Sequence, residues 1–184
     1  MQQRLPSLLN EPILFAHRGA SAYSPENTLE SFALALKLGA TGLESDIWAT
    51  RDGVLVLDHD GVVKSRLRSK PIAEFDRSAL PSHIPSLEQL LQHCGTQYQL
   101  SLDIKDPVVF DTIEQIVANI DTSMLERMWL CHPSSELLMS KRDSMLLIRL
   151  GLPKLRKVQS DARQIWHQVG LKPATCITPT GMVV

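Results

Sequence analysis

Ile13 to Ala16 form an apolar run that stops abruptly at His17-Arg18-Gly19, and a helical pattern begins only after Pro25-Glu26-Asn27-Thr28. So short a run cannot make a helix. It reads as a strand buried on both faces, the kind found in parallel sheets. His17 and Arg18 then fall at its C-terminal end, which is where barrels and doubly wound sheets carry their active sites. A histidine beside an arginine at that point suits an anion that is held and protonated, and Gly19 lets the backbone turn sharply beside it.

The rest of the chain repeats the strand-then-helix pattern. Asn27 with Glu30 has capping-box spacing, and Leu29, Phe32, Ala33 and Leu36 make one apolar helical stripe that Gly39 ends. Residues 41–50 suit a strand, and Arg51-Asp52-Gly53 is a hairpin turn leading into V-L-V-L-D-H-D. Residues 61–82 are polar and basic and read as an excursion over one face, with a short helix near Ile72 to Leu80. Pro85, Ser86 and Glu88 open a helix that stops at Gly95. The strand Q-L-S-L-D-I-K follows, then a helix capped by Asp111 or Thr112, the strand R-M-W-L-C, a helix S-S-E-L-L-M-S-K, the strand M-L-L-I-R-L and a helix D-A-R-Q-I-W-H-Q-V. Ala174 to Ile177 is a candidate sixth strand. Such alternation argues an α/β parallel sheet with right-handed crossovers. A complete (β/α)8 barrel needs about 250 residues, so the expected fold is a single TIM-barrel-type domain over residues 1–184, incomplete, with about five or six of the eight strands present.

A net charge of -1 shows no general attraction to nucleic acid, and no apolar stretch is long enough for a membrane span. The N-terminus lacks the apolar core of a signal peptide. Cys94, Cys131 and Cys176 are odd in number and far apart, so neither a disulfide framework nor a zinc knuckle is indicated, and a reducing, cytoplasmic compartment is expected.

Glu44 and Asp46 lie two apart on a predicted strand, so both leave the same face. Asp103 and Lys105 repeat that spacing near the end of a later strand, and His59 follows the hairpin strand between Asp58 and Asp60, either of which can orient its ring. If the strands are parallel neighbours, His17, Arg18, Glu44, Asp46, Asp103 and Lys105 share one rim of the sheet. Taken singly, each residue has a plainer reading; Asp103 with Lys105, for instance, could be an ordinary exposed salt bridge worth about 0–1 kcal/mol. Their conjunction is what points to phosphoryl transfer from a diester. Carboxylates suit a hard cation such as Mg2+ or Ca2+, Arg18 and Lys105 complement phosphate, and two histidines serve as general base and general acid near neutral pH. His83, His93, His132 and His167 read as surface or helix-end residues.

H-R-G-x5-P-E-N-T, G-L-E-S-D-I, T-R-D-G-V-L-V-L-D-H-D, I-P-S-L-E-Q-L-L and L-S-L-D-I-K together resemble the glycerophosphodiester phosphodiesterases, in register from Ile13 to about Lys105. The resemblance implies a (β/α)8 barrel that hydrolyses a small-molecule glycerophosphodiester to an alcohol and sn-glycerol 3-phosphate with a divalent metal. It implies His17 and His59 as the catalytic pair, Arg18 and Lys105 as phosphate contacts, and Glu44, Asp46 and Asp103 as metal ligands. The family usually has glutamate where Asp103 stands, and K-S-R-L-R-S replaces an Arg-Thr-Thr type stretch after the His-Asp motif. The match fades beyond about Leu150. The short C-terminal part makes the alternative a catalytically impaired fragment or truncated paralogue acting as a binding module, with self-association through open sheet edges.

Overall fold

The computed structural model describes residues 13–64, 68–134, 136–141 and 176–177. Its main sheet runs through β1 (Phe15–His17), β2 (Gly42–Ala49), β6 (Gln99–Ile104), β7 (Met128–Cys131) and β8 (Cys176–Ile177) in that spatial order, and β3 (Leu55–Leu57) pairs with β2 from the side. The first four pair in parallel. The connections from β1 to β2 and from β6 to β7 carry α1 (Leu29–Lys37) and α3 (Val109–Ile120), and α2 (Leu87–Cys94) precedes β6. Between β3 and α2, a small hairpin of β4 (Val62–Lys64) and β5 (Ser69–Pro71) stands apart from the main sheet.

Alternation along the strands divides the sheet into two chemically different faces. Leu43, Ser45 and Ile47 of β2 and Leu100, Leu102 and Ile104 of β6 are buried with Phe32, Leu87, Leu90 and Ile113 from the helices. Glu44, Asp46 and Trp48 point the other way, and the register sets Glu44 beside Ser101 and Asp46 beside Asp103. Burying a leucine-sized side chain is worth about 1.5–3 kcal/mol, so a one-residue slip of β6 would expose three such residues and is excluded. A second apolar cluster of Val56, Ile72, Leu80 and Ile84, with Trp48 against it, lies under residues 61–82, so this excursion has a core contact of its own.

Several local expectations shift. Thr28, not Asn27, caps α1, its hydroxyl accepting from the Ser31 amide at 3.2 Å. Asn27 sits at φ +54° and accepts from the Ser45 hydroxyl at 2.7 Å, which ties the loop to β2. The third helix opens at Val109, before the expected Asp111, because the Asp106 carboxylate accepts from the Val108 amide and turns the chain there. Ser86 and Gln89 form a full capping box on α2. Of the candidate strand at Ala174 to Ile177, the described part is β8, and it pairs antiparallel to β7, not in parallel as a further crossover strand would. Cys131 is disulfide-bonded, contrary to the reading of the scattered cysteines. The expected strand at residues 145–150 and helix at residues 161–169 lie outside the described residues. Among the described residues the sheet does not close: β1 pairs with β2 alone, and no helix is long and apolar enough to cross a membrane.

Candidate active site

His17 ends β1 in register with Glu44, and its Nε2 lies 3.8 Å from Glu44 Oε2. The chain then turns through a constrained loop. The Arg18 amide donates to the Glu44 carbonyl at 3.0 Å and to Glu44 Oε2 at 3.1 Å, with Arg18 itself at φ +56°. A non-glycine residue held in that region costs on the order of 1–3 kcal/mol, and the double hold by Glu44 is what offsets it. Gly19 follows at φ +82°, where a Cβ would meet Ser31 Oγ at 2.5 Å, so the first turn of α1 packs directly on the loop.

The loop aims the Arg18 guanidinium along the sheet. Its Nη1 donates to the two Glu26 oxygens at 3.1 and 3.3 Å, and its Nε lies 3.8 Å from Asp46 Oδ2. Lys105, whose amide donates to the Ile47 carbonyl, brings Nζ to 2.9 Å from Asp46 Oδ1 and 3.4 Å from Asp103 Oδ2. Six of the seven expected residues thus meet at one rim, His17, Arg18, Asp103 and Lys105 at the C-terminal ends of β1 and β6 and Glu44 and Asp46 beside them along β2. Burial raises the Glu44 carboxyl above its ordinary value; His17 and the Arg18 amide oppose that, while Asp46 and Asp103 add to it. Partial burial works against the Lys105 ammonium, but Asp46 and Asp103 outweigh it and the group is raised on balance.

His59 arrives by a different route. β3 runs back beside β2, and the Asp58 amide donates to the Asp46 carbonyl at 3.2 Å, which sets His59 at the level of the carboxylates. The turn after it is pinned: Trp48 Nε1 donates to the Asp58 carbonyl at 2.7 Å, and Asp58 Oδ2 accepts from the Gly61 amide at 2.7 Å. Gly61 is at φ +66°, and a Cβ there would lie 2.4 Å from the Trp48 ring, so only glycine leaves that ring its place. Burial raises the Asp58 carboxyl, with the Gly61 amide opposing. Sequence reasoning missed Glu26 as the partner of Arg18 and Trp48 as the support of the His59 turn. Glu26 stands in the P-E-N-T string and Gly61, against which Trp48 packs, follows D-H-D, but neither string shows which side chains meet.

The donor set at this rim is of the chemical type that a hard divalent cation takes. It consists of carboxylate oxygens, and Asp46 Oδ2 is buried with no hydrogen-bond partner, an acceptor that a cation would satisfy. No three His, Cys, Asp or Glu side chains among the described residues are gathered closely enough to hold a metal as they stand. The ammonium of Lys105 stands instead against Asp46 and Asp103, the positive charge that this cluster requires.

Parallel strands flanked by helices, with acids, two cations and His17 gathered at one rim, define an α/β barrel-type protein. A model of the Glycerophosphoryl diester phosphodiesterase family matches residues 17–167, and the chain belongs to this family. It is 49% identical over 113 residues to a glycerophosphodiester phosphodiesterase of Caldanaerobacter subterraneus, covering 53% of this chain and 46% of the relative. It is 57% identical over 53 residues to a probable glycerophosphodiester phosphodiesterase 1 of Mycobacterium tuberculosis, covering 29% of this chain and 19% of that one. A crystal structure of a glycerophosphodiester phosphodiesterase from Thermotoga maritima superposes with a TM-score of 0.63 at 27% identity, over 72% of this chain and 59% of the other. The chain therefore spans about half or less of the length of these curated relatives.

Proposed function

We propose that this site hydrolyses a glycerophosphodiester to an alcohol and sn-glycerol 3-phosphate, with a divalent cation, Mg2+ or Ca2+, bound by Glu44, Asp46 and Asp103. The observation that carries the reading is the meeting of His17, Arg18, Glu44, Asp46, Asp103 and Lys105 at one rim of the sheet. His17, beside Glu44 and exposed to solvent, takes the proton of the attacking hydroxyl at Nε2 as the oxygen bonds to phosphorus. His59 delivers a proton from Nε2 to the alkoxide as the phosphorus–oxygen bond to it breaks. Arg18 and Lys105 lie against the phosphate oxygens and match their charge. A cation held by Glu44, Asp46 and Asp103 would supply Lewis-acid polarisation of the phosphoryl oxygen.

Assays of glycerophosphocholine hydrolysis with and without chelator test this reading. Chelation should abolish turnover, and Glu44→Gln and Asp46→Asn should reproduce the loss. Full activity after exhaustive chelation would end the metal assignment. His59→Ala should slow glycerophosphocholine by on the order of 10²–10⁴ and an aryl diester far less, because a phenolate leaves without an acid. Equal losses on both substrates would remove His59 from that role.

A second reading, a binding module of reduced activity, is favoured by the apolar side chains left exposed around β1. Leu14 is 58% exposed, Tyr23 80% and Leu38 64%. β1 is also a sheet edge among the described residues, and edge strands with apolar neighbours template pairing with another chain.

A further inference from the structure

We infer that Asp60 and Lys64 are positioning residues that fix the ring of His59, Asp60 by accepting its Nδ1–H and Lys64 by holding the other oxygen of the same carboxylate. The inference rests on the proposed role of His59 and goes beyond it. It makes the β4–β5 hairpin, which stands apart from the main sheet, part of the catalytic apparatus.

Two contacts in a row carry it. His59 Nδ1 lies 2.8 Å from Asp60 Oδ1, and Lys64 Nζ lies 2.5 Å from Asp60 Oδ2. Lys64 and the ring together hold the Asp60 carboxyl below its ordinary value, so it is an ionised, acceptor-only group and the histidine nitrogen facing it must be the donor. With the proton fixed on Nδ1, a neutral ring has its lone pair on Nε2, and a charged ring presents Nε2–H to a leaving alkoxide. A carboxylate held only by the ring could rotate about its own bonds, and an ammonium on its other oxygen, though exposed, restrains that rotation. Lys64 is the last residue of β4, paired in register with Ser69 of β5, and the Gly61 carbonyl accepts from the Ile72 amide at 2.9 Å, so the hairpin is anchored to the turn that carries His59. Ile72 in turn is fully buried in the cluster under the excursion. Asp58, the other neighbour able to orient the ring, is taken up by the Gly61 amide.

The test uses the whole chain labelled with 15N in its histidines. The His59 ring signals are assigned by their loss in His59→Gln, and turnover is measured in parallel. In the unsubstituted protein the neutral His59 ring should carry its proton on Nδ1. Asp60→Ala should return it to the Nε2–H form that a free ring favours. It should also lower kcat on glycerophosphocholine by roughly 10- to 100-fold, less than loss of a general acid itself, with KM within about twofold and an aryl diester nearly unaffected. Lys64→Met should lower both the Nδ1–H fraction and kcat by a few-fold, and Lys64→Arg should restore both. The inference is overturned if His59 carries its proton on Nε2 in the unsubstituted protein, or if its tautomer is unchanged in Asp60→Ala. Should Asp60→Ala fail to fold, the two Lys64 variants decide, and equal spectra for Met and Arg would overturn the part assigned to Lys64. If the chain turns over no diester, the proposed function fails while the ring signals still decide the arrangement around His59.

Discussion

Replacing Lys105 by methionine removes the ammonium that stands 2.9 Å from Asp46 while keeping the length of its side chain. Asp46 is only 4% exposed, and its Oδ2 already lacks a hydrogen-bond partner. Stripping one partner from a fully buried ion pair costs about 3–5 kcal/mol. Here the Lys105 side chain is one-third exposed and the Arg18 guanidinium remains 3.8 Å from Asp46, so solvent screening and the second cation reduce the expected loss to about 1–2 kcal/mol. For a chain of this length that corresponds to a fall in melting temperature of roughly 2–8 °C in chelator. Adding a divalent cation should then raise the variant's melting temperature by more than the unsubstituted protein's, because the cation no longer has an ammonium to displace from Asp46 and Asp103. A cation at 100 times its dissociation constant supplies about 2.7 kcal/mol, enough to restore the lost stability. Thermal unfolding of both proteins in EDTA and in millimolar Mg2+ or Ca2+ makes the measurement. Equal melting temperatures in EDTA, together with equal shifts on adding metal, would refute both the pairing and the competition.

Gly61→Ala should cost about 1–2 kcal/mol for the left-handed backbone alone, and more for displacing the Trp48 ring, measured by urea unfolding; it should lower turnover as the His59 turn shifts, and an unchanged stability would show that Trp48 swings away freely. Glu44 gives a pH dependence whose sign follows from linkage: with its folded pKa raised above 4.5 by burial, the folded state binds more protons, so in chelator stability falls as pH rises from about 4.5 through the raised value. Glu44→Gln should flatten that limb, and a limb of unchanged slope in the variant would assign it to another group.

The chain's own string of residues was enough to single out most of the residues that meet at this rim. The abrupt end of an apolar run at His17, the two-residue spacing of Glu44 and Asp46, and the repeat of that spacing at Asp103 and Lys105 are local patterns, and strand alternation turns each into a statement about one face of one strand. The turn at Arg51-Asp52-Gly53 and the stop at Gly39 are equally local, because they depend on what a single residue's backbone tolerates. Which side chains meet was decided elsewhere. Asp46 touches Lys105 and neighbours Asp103 only because β2 and β6, far apart in sequence, pair in parallel in one register, and that register is set by burying Leu100, Leu102 and Ile104 against the helices. Asn27 left the helix cap because the Ser45 hydroxyl lay within reach across the loop, a partner that capping-box spacing cannot reveal. The hold of Lys64 on Asp60 likewise needs the β4–β5 hairpin to exist. Local spacing determines which face a residue occupies; the free energy of burying the apolar face determines which residue stands opposite, and only the folded sheet fixes that choice.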